Sequence, residues 1–297
     1  MAASRAQLFW RRVRRGGSKR WVRVYNAQVA RRLGLVPVAA RVPRFFIELT
    51  NHCNLRCDMC PRPSLRRGLG HMDWDLYCHI VDEIARMGGW YVGLNRFGES
   101  LLYPRFVDAV RYAKRAGIGR TVVVTNATRL EGNLAEEILD SGLDEILVSL
   151  DRLDRKTYES SRRGARFDQV VENVDRFIEL RRQRGSGRPS IVINSVLVDE
   201  DVQQIRALFD KYYDQVDWIS LKPCARYGEG QDLPTTGITR RRWRTCTQPW
   251  ERLNIFWNGE TTVCCGDVEG ELVVGNVHDS PLEWLWRQSP RALEIRR

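Results

Sequence analysis

Three cysteines within eight positions, Cys53, Cys57 and Cys60 of "LTNHCNLRCDMCPRP", are the residues of this 297-residue chain best suited to chemistry. Their spacing, Cys-x3-Cys-x2-Cys, lets three thiolates on one loop wrap a corner of an iron-sulfur cube, each on a different iron. The fourth iron is then left without a protein ligand and is open to a small molecule, whereas a four-cysteine cluster only carries electrons. Zinc is the competing metal, but its structural sites want two matched pairs of ligands. His52 abuts Cys53, too close to be a comfortable second ligand, and His71 lies eleven residues beyond Cys60. Of the eight cysteines, four more fall between positions 224 and 265. Only Cys78 is isolated, in the helical pattern "MDWDLYCHIVDEIARMG", where it reads as a buried structural thiol.

The elements around these residues set their positions. From residue 45 onward, short runs rich in β-branched and aromatic residues alternate with longer amphipathic stretches, the pattern of βαβ units and a parallel sheet. Strands are expected at 44–50, 90–98, 121–127, 145–151, 190–198 and 216–224, with helices such as "YPRFVDAVRYAKRAG" and "FDQVVENVDRFIELRRQRG" between them. Six such units curl into a partial (βα)6 barrel of the TIM type, and ligands gather at the C-terminal strand ends. The three cysteines follow the first strand directly. "FGES" (97–100) ends the second, Asn126 the third, and Ser149 and Asp151 the fourth. Residues 226–297 differ: "RLNIFWNGETTVCCGD" alternates around Asn258-Gly259, a hairpin signal, and "SPLEWLWRQSPRALEIRR" reads as one capped terminal helix. The expected fold is α/β, a partial barrel (44–225) with a small C-terminal module of β-hairpin plus helix (226–297).

These motifs together resemble the radical S-adenosylmethionine (SAM) superfamily over residues 44 to about 225. The resemblance implies that Cys53, Cys57 and Cys60 hold a 4Fe-4S cluster and that SAM chelates the open iron. The reduced cluster then cleaves SAM to methionine and a 5′-deoxyadenosyl radical, which abstracts hydrogen from substrate. Gly98 and Glu99 resemble the family's Gly-Gly-Glu-Pro segment, which holds the SAM amino group; Phe97 and Ser100 depart from it. Asn126, Ser149 and Asp151 occupy positions the family uses toward the ribose. Arg163 resembles an arginine that pairs with the SAM carboxylate, with Arg162 adjacent. Met59 stands where an aromatic residue is frequent.

Cys246, twelve residues, Gly259, four residues and Cys264 resemble the opening of the SPASM module in its shortened, Twitch-like form, which implies a second, auxiliary 4Fe-4S cluster. Cys246 and Cys264 are its clearest ligands, with Cys265 and Cys224 as further candidates. Neighbouring side chains on an extended strand point to opposite faces, so Cys264 and Cys265 share a cluster only where the strand bends. A thiol left unligated, Cys265 or Cys224, is a candidate hydrogen donor. A zinc ribbon on the same four cysteines is the alternative.

The expected activity is hydrogen abstraction from a small molecule or carbohydrate, leading to oxidation or epimerisation, with a peptide substrate as the alternative. No leader-recognition domain of roughly 80 residues is expected before residue 45, which favours the smaller substrates. A flavodoxin- or ferredoxin-type protein is the implied electron donor. The formal net charge of +11 belongs to the leader, since residues 1–44 hold 12 Lys and Arg and no acid, leaving 36 basic and 37 acidic residues beyond. This extension (1–43) could contact an anionic surface or an acidic partner, or pack its Trp and Leu residues on the main domain. A zinc-stabilised nucleic-acid binder is the reading from another class. No apolar run approaches the roughly 20 residues of a membrane span, and without an apolar signal segment a reducing cytoplasm is expected.

Overall fold

A computed structural model describes residues 42–197, 202–224 and 246–297. All but the last two residues of the basic extension, and the opening of the C-terminal module, lie outside the described residues. In chain order the elements are β1 (Arg44–Ile47), β2 (Arg56–Cys57), α1 (Trp74–Arg86), β3 (Tyr91–Gly93), α2 (Phe106–Arg115), β4 (Arg120–Thr125), α3 (Gly132–Leu139) and β5 (Glu145–Ser149). Then follow α4 (Arg155–Ser161), β6 (Arg162–Arg163), α5 (Phe167–Gln183), β7 (Ser190–Leu197), α6 (Val202–Tyr212) and β8 (Trp218–Pro223). The C-terminal part adds β9 (Arg252–Ile255), β10 (Glu260–Thr262), β11 (Val273–Asn276), α7 (Leu282–Arg287) and α8 (Pro290–Ile295).

One nine-stranded sheet runs β11-β10-β9-β1-β3-β4-β5-β7-β8. Its six strands from β1 to β8 are parallel, with helices as crossovers, so the expected six βα units are present in sequence order. The C-terminal hairpin does not stand apart. β9 pairs in parallel with β1, Arg44 beside Arg252 and Ile47 beside Ile255, so the module continues the core sheet. Strand alternation separates two faces. Phe45, Ile47, Val92, Val148, Ile193 and Ile219 are buried in the hydrophobic core against the helices, which turns Phe46, Ser149, Asn194 and Ser220 to the inner face. The last three are register partners across β5, β7 and β8 and form a polar row.

Local chemistry sets the element ends. Asp73 caps α1 by accepting from the N–H groups of Asp75 and Leu76, and Asp154 caps α4 through Thr157 N–H. The expected single terminal helix is two helices. Pro290 has no N–H to continue the first, and Ser289 before it is held extended and caps Ala292 instead. β3 is shorter than the expected 90–98, because residues 95–98 turn away to pack on the cysteine loop.

Candidate active site

The excursion from Glu48 to Met72 carries the three cysteines and is closed at its base. Thr50 bridges to His71, and Thr50 Oγ1 donates to Gly70 O at 2.9 Å. Asn51 clamps both directions, donating to Gly68 O and accepting from Gly70 N, each at 2.8 Å. Within the loop, Cys60 N donates to Cys57 O at 3.1 Å, and Leu55 N donates to Cys53 Sγ at 3.4 Å. Cys57 lies on β2, in register with Arg162 on β6. All three thiols are half-buried, and their pKa values are raised, chiefly by burial, with a neighbouring thiol adding to each. Arg162 opposes this at Cys57. Three desolvated thiols sharing one field suit a cationic cluster that takes them as thiolates. Among the described residues no group of His, Cys, Asp and Glu is placed to hold a metal ion alone; a cube spreads its thiolates over different irons. His52 and His71 stack on each other, ring centroids 4.7 Å apart.

Gly98 is required where it stands. Its φ is +141°, and a Cβ there would lie 2.4 Å from Thr50 O and 2.8 Å from Asn51 Cα. The Gly98-Glu99 segment thus rests directly on the cysteine loop, and Glu99 N donates to His52 O at 2.8 Å. The Glu99 carboxylate is 2% exposed and occupied by protein donors: Thr125 Oγ1 and Asn126 N, each at 2.7 Å, and Leu101 N at 3.1 Å. Burial pushes its pKa up while these donors pull it back. The Glu99 carboxylate thus fastens the end of β4 to the segment that rests on the cysteine loop. Asn126 Nδ2 donates to Asn54 Oδ1 at 3.0 Å and approaches Cys53 Sγ at 3.9 Å. The next residue, Ala127, has φ +60°, a strained conformation for a side-chain-bearing residue, and Asn173 holds its carbonyl at 2.9 Å. Sequence reasoning missed Ala127, which has no signature in the text.

Two adjacent arginines part company. Arg162 is buried and forks onto Asp151, Nε to Oδ2 at 2.7 Å and Nη2 to Oδ1 at 3.0 Å. Burial alone would lower the Arg162 pKa, but Asp151 more than offsets it and the guanidinium stays charged. Asp151 Oδ1 also accepts from Val196 N at 2.8 Å, which ties the ends of β5 and β7 together. Arg163 points outward, its side chain 69% exposed and paired with Asp58. Both arginines meet the cysteine loop, Arg162 in register with Cys57 and Arg163 through Asp58; Arg162 is the buried one and Arg163 the exposed one. Ser149 is half-buried at the end of β5.

At the second cysteine group the chain bends after β10, and Cys264 follows two residues past Thr262, in a turn and off the strand. β10 thus ends before both cysteines, and strand alternation does not apply to them. The Cys264 thiol is raised by burial, and the N–H groups of Gly266 and Asp267 hydrogen-bond to its sulfur. The turn is held by two arginines, one from the segment after β3 and one from the cysteine excursion. Arg96 Nη2 donates to the carbonyls of Cys264 and Asp267. Arg67 Nε donates to Val268 O at 2.7 Å while its two Nη atoms fork onto Glu48 at 2.6 and 2.8 Å. Arg67 and Arg96 were not foreseen; an acid inside the apolar run "RFFIELT" was the available signal for the first. Cys224 ends β8 half-buried, its thiol raised by burial and then by Asp151. Cys246 is exposed. Cys264 and Cys265 are consecutive at the start of this turn, and Cys224 N donates to Leu197 O at the end of β8. Cys78 is half-buried on α1, packed against the core, and its thiol is raised by burial.

Residues 47–212 match the radical SAM superfamily, and residues 246–297 match the SPASM iron-sulfur cluster-binding domain. Over 164 residues the chain is 28% identical to the tungsten-containing aldehyde ferredoxin oxidoreductase cofactor-modifying protein of Pyrococcus furiosus, covering 55% of this chain and 46% of that protein. It is 33% identical over 157 residues to GTP 3′,8-cyclase of Chlorobaculum tepidum, covering 52% and 46%. The chain spans about half the length of these relatives. In fold it is similar to Streptococcus suis SuiB bound to S-adenosylmethionine, with TM-score 0.71 at 17% identity over 85% of this chain and 67% of that one. BtrN in complex with AdoMet and 2-DOIA follows at TM-score 0.58 and 15% identity, over 86% of each chain. No helix among the described residues is long and apolar enough to cross a membrane. The superfamily match spans more than half the chain and ends close to β8, while the second match begins at Cys246; this protein belongs to the radical SAM superfamily, carries a SPASM domain, and uses 4Fe-4S clusters and SAM as cofactors.

Proposed function

We propose that this radical SAM/SPASM enzyme removes a hydrogen atom from a C–H bond of a small-molecule or carbohydrate substrate and completes the reaction as an oxidation. One observation carries the reading: Arg67, on the loop that carries the first three cysteines, holds Val268 O in the turn that follows Cys264 and Cys265, so the second cysteine segment is fastened directly to the first. The Cys53–Cys60 loop also meets Asn126 after β4 and pairs with Arg162 on β6, and the Cys264–Cys265 turn is held from the segment after β3 by Arg96. When bound, the first cluster and SAM supply a 5′-deoxyadenosyl radical, and the auxiliary cluster supplies an acceptor for one electron. Cys53, Cys57 and Cys60 would hold the first cluster, and Cys264, with Cys265 and Cys246, the second. Gly98, Asn126, Ser149, Asp151 and Arg162 line the ground between the cysteine loop and the strand ends, where SAM would lie. The inner-face row of Ser149, Asn194 and Ser220 suits a polyhydroxylated substrate, since the Asn194 Oδ1 is buried with no hydrogen-bond donor. Holding one substrate hydrogen at the radical and keeping water out are the tasks left to this lining.

A peptide substrate is the second reading, favoured by fold neighbours crystallised with peptides: SuiB with its precursor peptide SuiA and anSMEcpe with the Cp18Cys peptide. Epimerisation is supported by Cys224, a half-buried thiol at the end of β8 that could return a hydrogen atom. Anaerobic reconstitution with iron and sulfide counting tests the foundation. The wild type is expected to hold about eight irons, falling to about four in a Cys53/Cys57/Cys60→Ala variant, and to release 5′-deoxyadenosine when reduced by dithionite or a flavodoxin-type donor. Turnover in D2O then separates the outcomes: deuterium at the product carbon means hydrogen return, and its absence with a two-electron-oxidised product means oxidation. Zinc at both sites in place of iron would end the proposal.

A further inference from the structure

Arg96 stands two residues before Gly98 and reaches across to the turn that carries Cys264 and Cys265. Its Nη2 donates to Cys264 O at 3.4 Å and to Asp267 O. The guanidinium lies 5.1 Å from the Phe97 ring centroid and 4.5 Å from that of Phe256, while its Nε is buried and makes no hydrogen bond. A buried cation is ordinarily matched by an anion. Here the two carboxylates whose charge opposes its desolvation are engaged elsewhere. Glu48 is forked by Arg67, and Asp267 accepts from the N–H groups of Gly270, Glu271 and Leu272. Among the described residues no carboxylate forms an ion pair with Arg96. Burial pulls its pKa down to about 10, and the groups that oppose this include Glu48, Asp267 and Cys265. Ligation converts thiols into thiolates, and a cube held by thiolates carries a net negative charge that grows on reduction.

We propose that Arg96 is the counter-charge of the auxiliary cluster: a fixed positive charge, delivered from the loop that also presents Gly98 and Glu99, which favours the reduced cluster and so raises its reduction potential. The proposal rests on an auxiliary cluster bound through Cys264 and is independent of the substrate class. The expected effect of losing this charge is a roughly tenfold change in the reduced-to-oxidised ratio, ~59 mV for a one-electron couple.

The test is an EPR-monitored redox titration of the anaerobically reconstituted full chain as wild type, Arg96→Gln and Arg96→Lys. The radical SAM cluster, identified by its response to SAM, serves as the internal control. In Arg96→Gln the auxiliary cluster is expected to be reduced to only about a tenth at the wild-type midpoint, with the radical SAM midpoint unmoved. Arg96→Lys, which keeps the charge without the fork, should stay at the wild-type value. An unmoved auxiliary midpoint in Arg96→Gln, or an equal fall in Arg96→Lys, overturns the proposal. Where Arg96→Gln binds no auxiliary iron, Arg96→Lys decides: a wild-type midpoint supports the charge role, and a lowered midpoint or lost iron overturns it in favour of the fork geometry. A wild-type count of only about four irons would overturn both this proposal and the two-cluster reading, whereas full iron with an unmoved midpoint overturns this proposal alone.

Discussion

Glu48 and Arg67 offer a sharp test of how the two cysteine segments are held together. Glu48 is wholly buried and the Arg67 side chain is 11% exposed, and the pair is bidentate at 2.6 and 2.8 Å. Arg67 also stacks over Phe256 at 4.3 Å and holds Val268 O, so its side chain joins the loop after Cys60 to the turn after Cys265. Replacing Glu48 with Gln leaves a buried guanidinium without its counter-ion, and breaking such a pair from one side costs about 3–5 kcal/mol. Two charge-assisted hydrogen bonds at about 1.5–3 kcal/mol each give the same range. With roughly 2–4 °C lost per kcal/mol in chains somewhat shorter than this one, Glu48→Gln should melt about 6 to 20 °C below wild type. Arg67→Met should cost a similar amount, because it strands a carboxylate whose remaining donors, Phe97 N and Trp257 N, stand at 3.4 Å. The double variant should recover much of the loss, with a coupling of at least ~2 kcal/mol. Anaerobic thermal unfolding of the reconstituted protein, followed by circular dichroism, measures all three. A loss below about 1 kcal/mol for Glu48→Gln, or strict additivity in the double variant, would refute the reasoning.

Gly98→Ala should prevent assembly at the cysteine loop, since its Cβ would meet backbone and could not be accommodated by side-chain motion; iron should fall by about half, from two cubes to one, and 5′-deoxyadenosine formation should cease. Arg163→Ala should change stability by less than about 1 kcal/mol and spare SAM cleavage, because its pairing with Asp58 is exposed. Arg162→Ala should abolish cleavage and cost about 3–5 kcal/mol by stranding buried Asp151; the reverse ranking would make Arg163 the SAM-facing arginine. Cys264→Ala should keep the radical SAM iron and SAM cleavage while losing about half the total iron, measured by iron analysis beside product chromatography.

The sequence was legible where the signal is local. Each parallel strand is a short β-branched run such as "TVVVT" or "EILVS", and each observed strand overlaps its expected span. Cys53, Cys57, Cys60 and Gly98 were readable because their meaning lies in spacing over a few residues. Arg162 and Arg163 were not separable, since they differ only in which way a two-residue pairing with β2 turns each side chain. Arg67, Arg96 and the β1–β9 pairing join segments far apart in the chain, and nothing in either segment alone announces its partner. Pro290 was a readable break in the terminal helix that the capping pattern on either side obscured.

The seam between β1 and β9 also bears on how the protein is made. Arg44 hydrogen-bonds to Glu251 across 207 positions, so the outer edge of the first strand stays open until nearly the whole barrel has left the ribosome. An interior strand left waiting in this way is an invitation to foreign strands. The hairpin that carries the second cysteines is therefore also the latch of the barrel, and severing it should yield aggregates in place of a soluble half-enzyme.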